Sequence, residues 1–232
     1  MPFWTNCAVR MKTLNIRMIS STTTIKTSKM IRAFFSAMVA IACILPAQAQ
    51  DEEVVSVPFS MAESKIMWTG KKVTGEHTGT LMLKSGFAEL SENQPRRVEL
   101  EMDMNSITCT DLKDAKTNAK LVGHLKSEDF FDVQEYPTGR FVAEHFEEIE
   151  GAEGFEPNYR VKGKLTLKGI EKDLEFLAYI AVKGNRLIAN GELSFDRSKY
   201  NIRYGSKSFF EGLGDRMIYD DVELMFVVST GM

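Results

Sequence analysis

Residues 98–104 read VELEMDM: Val98, Leu100, Met102 and Met104 are apolar, with Glu99, Glu101 and Asp103 between them. Side chains of an extended strand point alternately to its two faces, so this stretch is a strand with one face in an apolar interior and one in water. The same period of two recurs downstream. Tyr159, Val161, Gly163, Leu165 and Leu167 alternate with Arg160, Lys162, Lys164 and Thr166, and Val222, Leu224, Phe226 and Val228 repeat the pattern near the C-terminus. Short polar signals read as turns: Lys84-Ser85-Gly86, Lys168-Gly169, and Lys183-Gly184-Asn185. The last makes a hairpin of DLEFLAYIAV and RLIANGELSF. Strands are predicted near 54–60, 64–73, 78–90, 97–107, 139–149, 158–168, 173–183, 186–196 and 219–229. So many sequential antiparallel strands in one domain imply a barrel or a sandwich.

One segment breaks the alternation. In TDLKDAKTNAKLVGHLKS (110–127), Leu112, Ala115, Ala119 and Val122 recur at helical spacing. Thr110 or Asp111 suits the N-cap, with Asp114 three residues beyond Asp111. The expected architecture is all-β: an antiparallel barrel of about eight strands with one inserted α-helix over about 111–126.

Charge and cysteine content limit the function. The chain carries a formal charge of −3, and its first 50 residues hold six basic side chains and no acidic one. Removing them leaves 23 basic against 32 acidic residues, a charge of −9 for residues 51–232. A body that acidic repels phosphate backbones, so no nucleic-acid partner is expected. From Met30 the chain reads MIRAFFSAMVAIACILPAQAQDEE: a basic residue, an apolar run from Ala33 to Leu45, then Ala47-Gln48-Ala49. That is the layout of a secretory signal cut between Ala49 and Gln50, with translation starting at Met30 and residues 1–29 an upstream extension. The apolar run is too short to span a bilayer stably. The expected location is therefore the periplasm or the extracellular space. Cys43 offers a lipoprotein alternative, but Ala40 stands where lipidated cysteines usually have leucine three residues before. Residues 50–232 form a single expected domain, with Cys109 as the one remaining thiol and no internal disulfide.

Four stretches together resemble one family. They are MWTGKKVTGEHTGTLMLKSG, HLKSEDFFDVQEYP with its continuation to Arg140-Phe141, GKLTLKGIEKDLEF, and DRSKYNIRYGSKSFFEGLGD. In this order and spacing they look like the YceI-like family over about residues 54–230, and the first block is similar to the Bacteroidetes-type branch. One departure is Gly169-Ile170-Glu171-Lys172-Asp173, where many members have G-V-T-K-P; it alters a turn. The resemblance implies a lipocalin-like barrel that holds an isoprenoid-type lipid, a polyisoprenoid or a quinone, for transport outside the cytoplasm. No cofactor beyond such a ligand is implied.

The residues allow that reading, because a closed eight-stranded barrel has room for side chains or one slender ligand. Trp68, Met82, Met102, Met104, Phe130, Phe131, Phe141, Leu165, Phe176, Phe195, Phe209 and Phe210 are the expected lining, and methionine adapts to irregular walls. The same residues also suit a filled core, as in a structural or stress-response interaction protein that binds nothing. Lys72 and His77, beside Lys71 at a Gly75 turn, and Arg203, among Arg197, Lys199 and Lys207, are the candidates for a polar head group. The chain leaves room for a homodimer. His77, His124 and His145 are far apart and lack zinc-site spacing, no serine sits in a nucleophile elbow, and no glycine-rich phosphate loop occurs. No metal site and no enzymatic activity are expected.

Overall fold

The computed structural model describes residues 53–231. The expected leader, its expected cleavage site and Cys43 lie outside the described residues. Residues Gln50–Met232 are one compact unit.

Nine strands follow one another: β1 (Val55–Pro58), β2 (Lys65–Lys72), β3 (Gly75–Ser91), β4 (Gln94–Asp103), β5 (Thr138–Glu148), β6 (Tyr159–Leu167), β7 (Ile170–Lys183), β8 (Arg186–Asp196) and β9 (Ile218–Ser229). The hydrogen-bonded order is β3-β2-β9-β8-β7-β6-β5-β4, and β4 pairs back onto β3, so eight antiparallel strands close into a barrel. Closure removes the unpaired edges that an open sheet would expose. The ninth, β1, lies along the far half of β3, with Val55 opposite Leu90. A bridge between Phe59 and Thr230 brings the two ends of the barrel chain together.

Turn chemistry fixes the register. Lys168 and Gly169 join β6 to β7 with φ of 49° and 70°, the positive pair that a two-residue hairpin turn requires. β7 therefore begins at Ile170, three residues earlier than expected. Lys84-Ser85-Gly86 is not a turn, contrary to expectation. It is a register shift inside the 17-residue β3, between Leu83 and Ser85. The glycine serves close approach here: a Cβ on Gly86 would stand 2.6 Å from the Glu99 carbonyl oxygen on β4.

The helix α1 runs Ala115–Lys126, and its N-cap is Asp114, whose carboxylate accepts from the Thr117 amide at 2.8 Å. The expected start near 111 fails because the preceding residues are engaged elsewhere. The Thr108 amide donates to the Thr80 carbonyl at 3.0 Å and the Thr110 amide to that of Thr78 at 2.8 Å, extending β3 sideways. Asp111 is held by the same strand, as described below. After the helix, residues 127–136 fold as stacked turns. The Phe131 amide donates to the Leu125 carbonyl and the Val133 amide to that of Lys126.

Alternation sorts the barrel wall into two faces. Val98 and Met102 of β4, Val161 and Leu165 of β6, and Ile180 of β7 are buried inside. On the outside, charges pair across strands: Lys84 with Glu101, Arg140 with Glu99, Arg160 with Glu175 and Lys164 with Glu171. Exposed pairs like these contribute little stability, but they keep the outer wall wet.

Candidate functional site

The barrel interior is not solid. One cavity of about 80 Å³ is enclosed by residues that include Phe59, Val98, Phe141, Phe176, Ile180 and Phe226. A second, of about 90 Å³, lies toward the helix end, with Trp68, Met104, Leu125, Phe130, Phe131 and Phe195 in its wall. Met102, Leu165 and Leu224 line both cavities. These three flexible aliphatic side chains stand between the two cavities, which succeed one another along the barrel. Nothing polar faces the first cavity except backbone, and only Arg197 brings charge to the second. Each volume is several times what one water needs, yet the walls offer water almost no partners. Such a space suits a slender apolar molecule.

Arg197 follows β8 directly and is 2% exposed. Its Nε donates to the Tyr219 carbonyl at 3.2 Å, Nη1 to that of Ile202 at 3.1 Å and Nη2 to that of Ile218 at 3.2 Å. Asp220 supplies a carboxylate oxygen 3.3 Å from Nη2, close enough for charge pairing though that oxygen receives no hydrogen bond. The guanidinium also lies 5.5 Å over the Phe130 ring. Burial pushes its pKa down and Asp220 and Asp196 push it back up, with a net lowering. An arginine stays charged nonetheless. Its donors are largely spent on backbone, so Arg197 knits the β8–β9 connection to the barrel rim while placing a positive charge at the end of the apolar space. The sequence reading grouped it with the exposed cations. The signal it passed over is position: it comes two residues after the inward Phe195, on the buried parity.

Nine of the twelve expected lining residues face the space. Met102, Phe141, Leu165 and Phe176 line the first cavity; Trp68, Met102, Met104, Phe130, Phe131, Leu165 and Phe195 line the second. Three do not. Met82 is 61% exposed on the outer wall, because Leu81 and Leu83 take the inward parity on β3. Phe209 and Phe210 are 40% and 50% exposed on the β8–β9 connection, outside the barrel. Phe59, Phe146, Leu174 and Leu193 line the space without having been singled out; continuing the period-two pattern reaches Leu174 and Leu193, whereas Phe146 comes inward only through the register shift between Ala143 and His145.

The head-group candidates divide. His77 is committed to structure: its Nδ1 lies 2.8 Å from the Asp111 carboxylate, which also accepts from the Thr78 amide at 2.9 Å and the Cys109 thiol at 3.2 Å. Burial opposes the charge on Asp111, but the bonds from His77, Thr78 and Cys109 outweigh it and hold the carboxyl well below the usual range. Burial, aided by Asp111, pushes the Cys109 thiol up, against a bond from the Leu112 backbone. Cysteine, aspartate and histidine thus stand in a row, yet a thiol kept protonated and buried is no nucleophile. The group is a clasp holding segment 107–111 against β3. The crossing there is tight enough to demand glycine, since a Cβ on Gly79 would meet the Thr108 carbonyl oxygen at 1.8 Å. The neighbouring Lys71 pairs with Glu223. Lys72 lies at the end of β2, outside both cavities. Arg203, in contrast, lines an open groove of about 540 Å³ at the helix end, with Lys168, Tyr204, Phe210, Leu213 and Arg216, and with Glu128 and Asp129 on its acidic side. Tyr204 and Phe130, their rings 5.7 Å apart, separate this groove from the inner cavity, and His124 stacks edge-on against both. Among the described residues no group of three or more histidine, cysteine or carboxylate side chains is placed to hold a metal, and no helix is long and apolar enough to cross a membrane.

Solved structures share this architecture. BcnA of Burkholderia cenocepacia superimposes with a TM-score of 0.53 at 22% identity, over 75% of this chain and 99% of that one. A polyisoprenoid binding domain from Saccharophagus degradans, implicated in plant cell wall breakdown, gives 0.54 at 15% identity, over 77% and 98%. No match was found among curated proteins. The YceI-like domain matches residues 58–230, from the last residue of β1 to the bridge partner of Phe59, and by that match this barrel belongs to the YceI-like family.

Proposed function

We propose that the protein binds and carries an isoprenoid-type lipid, a polyisoprenoid or isoprenoid quinone, outside the cytoplasm. One observation carries the reading: two apolar cavities, with Met102, Leu165 and Leu224 between them, make an elongated dry space inside a closed barrel. A void of that combined size, left empty, destabilises a fold by about 4 kcal/mol. An apolar chain that fills it gains roughly 0.8 kcal/mol per methylene buried, or about 4 kcal/mol per isoprene unit before ordering costs. The polyisoprenoid binding described for the Saccharophagus domain of the same fold supports the choice of ligand class. Export rests on the leader sequence. Binding is the whole of the proposed activity, since the polar clusters described are structural clasps.

Residues 50–232, purified under native conditions and extracted with organic solvent, should release an isoprenoid lipid detectable by mass spectrometry. Met102→Trp places an indole between the two cavities. It should lower affinity for a prenyl phosphate or short-chain quinone by at least about tenfold while circular dichroism stays that of a β-barrel. Unchanged affinity in a folded variant, or no lipid in the extract and no binding in solution, would overturn the proposal.

A further inference from the structure

The connection between β8 and β9, residues 197–217, forms one side of the mouth through which the inner cavity faces the open groove. Its tip carries Phe209 and Phe210 side by side, both exposed. They are held outward by a built turn. The amides of Phe209 and Phe210 donate to the carbonyl of the fully buried Ser206 at 3.2 and 3.0 Å, and the Ser208 amide bonds the Ser206 hydroxyl at 3.1 Å. The Ser208 hydroxyl in turn donates to Asp220 at 2.7 Å, the same carboxylate that faces Arg197. The root of the turn is equally fixed: the Ile218 amide donates to the Gly205 carbonyl at 2.8 Å, where Gly205 adopts φ of +63°. A chain that spends this many bonds to hold two phenylalanines in water is presenting them.

The charge around them has a sign. Lys199, Arg203, Lys207 and Arg216 are exposed on this connection, against Glu211 and Asp215, while the facing wall of the groove adds Lys168 against Glu128 and Asp129. The Arg203 guanidinium lies 5.0 Å over the Phe209 ring. The opposite end of the barrel is the reverse: the β5–β6 segment 147–156 holds Glu147, Glu148, Glu150, Glu153 and Glu156 with no lysine or arginine. A body of charge −9 is repelled by an anionic bilayer everywhere except where a cationic, aromatic surface meets it. Aromatic rings at the headgroup level with cations beside them are the usual chemistry of an interfacial anchor.

We propose that the 199–216 connection docks the barrel on an anionic lipid bilayer, with Phe209 and Phe210 in the headgroup region and the groove opening onto the membrane. Lipid then passes from the bilayer along Phe210 and Leu213 to the Tyr204–Phe130 pair and into the inner cavity. Docking itself does not require that cavity to be filled, so it stands or falls separately from lipid carriage.

Flotation of residues 50–232 with vesicles tests it; leaving out the leader removes an apolar segment that would bind vesicles itself. The barrel should float with phosphatidylcholine vesicles containing phosphatidylglycerol and stay behind with pure phosphatidylcholine, and raised salt should release it. Phe209→Ser with Phe210→Ser, and separately Lys199→Glu with Lys207→Glu, should each weaken vesicle binding by at least about tenfold. In the Lys199→Glu/Lys207→Glu variant, whose changed side chains line neither the groove nor the inner cavity, affinity for a soluble prenyl phosphate should stay as in the parent. Wild-type protein that ignores anionic vesicles at low salt, or a double-serine variant that floats like the parent, would overturn the docking. A concentration-dependent dimer abolished by the double-serine change, without vesicle binding, would give the patch to a second copy of the chain and equally overturn it.

Discussion

Arg197 is the residue whose environment asks the most of the fold. Its charge is paired and three of its five N–H donors are spent on carbonyls, so the arrangement is tolerated rather than a source of net stability. The consequence is asymmetric. Arg197→Met leaves the largely buried Asp220 without its counter-charge, with the Ser208 hydroxyl still donating to it, and should lower stability by about 3 kcal/mol in chemical denaturation, whereas Arg197→Met combined with Asp220→Leu should recover most of that loss. No recovery in the double variant would mean that the backbone bonds, not the charge pair, hold the mouth. Asp111 shows the other use of a buried-leaning charge: its three partners keep it ionised and tie His77, Thr78 and Cys109 to one carboxylate.

At the scale of elements, helix α1 is capped by one side chain. Asp114 accepts from the Thr117 amide and hydroxyl, and Asn118 ties the same end to the preceding loop by donating to the Cys109 and Leu112 carbonyls. Asp114→Ala should cost about 1 kcal/mol in thermal unfolding. Because Leu125 in the last turn walls the inner cavity, the same change should also speed exchange of bound lipid, measured by competition with a fluorescent prenyl analogue. The strands were legible because the period of two survives along VELEMDM and its counterparts. The helix start was not, because Asp111 is as good a cap as Asp114 until one knows that β3 already claims it. Lys84-Ser85-Gly86 looked like a reversal for a similar reason: a polar pair with glycine signals a turn and a bulge alike, and only the approach of Glu99 on β4 tells them apart. Phe209 and Phe210 were placed inside on composition alone, since the connection carrying them has no periodicity to say which way a ring points.

Across the whole molecule, the interior splits cleanly from the surface in what sequence can reveal. Parity pointed to Met102 and Leu165, and large apolar side chains on predicted strands to Phe141 and Phe176, but no pattern states that inward side chains leave space between them. That depends on the barrel radius, which strand number and closure set. One global property follows from a group just behind the cavity wall. Tyr200 is 2% exposed and stacks edge-on with Phe195, and burial followed by the Asp196 charge raises its pKa from 10.0 to about 12. A folded pKa above the unfolded one means stability is fully present below pH 10 and is lost as pH rises toward about 12. Tyr200→Phe lacks this loss, so its melting temperature relative to wild type should rise steadily over that window; a constant difference would show that the hydroxyl ionises freely.

The bridge between Phe59 and Thr230 sets the two chain ends of the barrel side by side, at the rim opposite the helix. Anything fused to either end, whether a dye-bearing tag, an immobilisation handle or a second domain, therefore hangs from the back of the barrel and leaves its mouth clear. The same closeness makes the fold a fair substrate for circular permutation. A short linker can join residue 231 to residue 54, and new ends can be opened at Gly184-Asn185 on that same rim without cutting a strand.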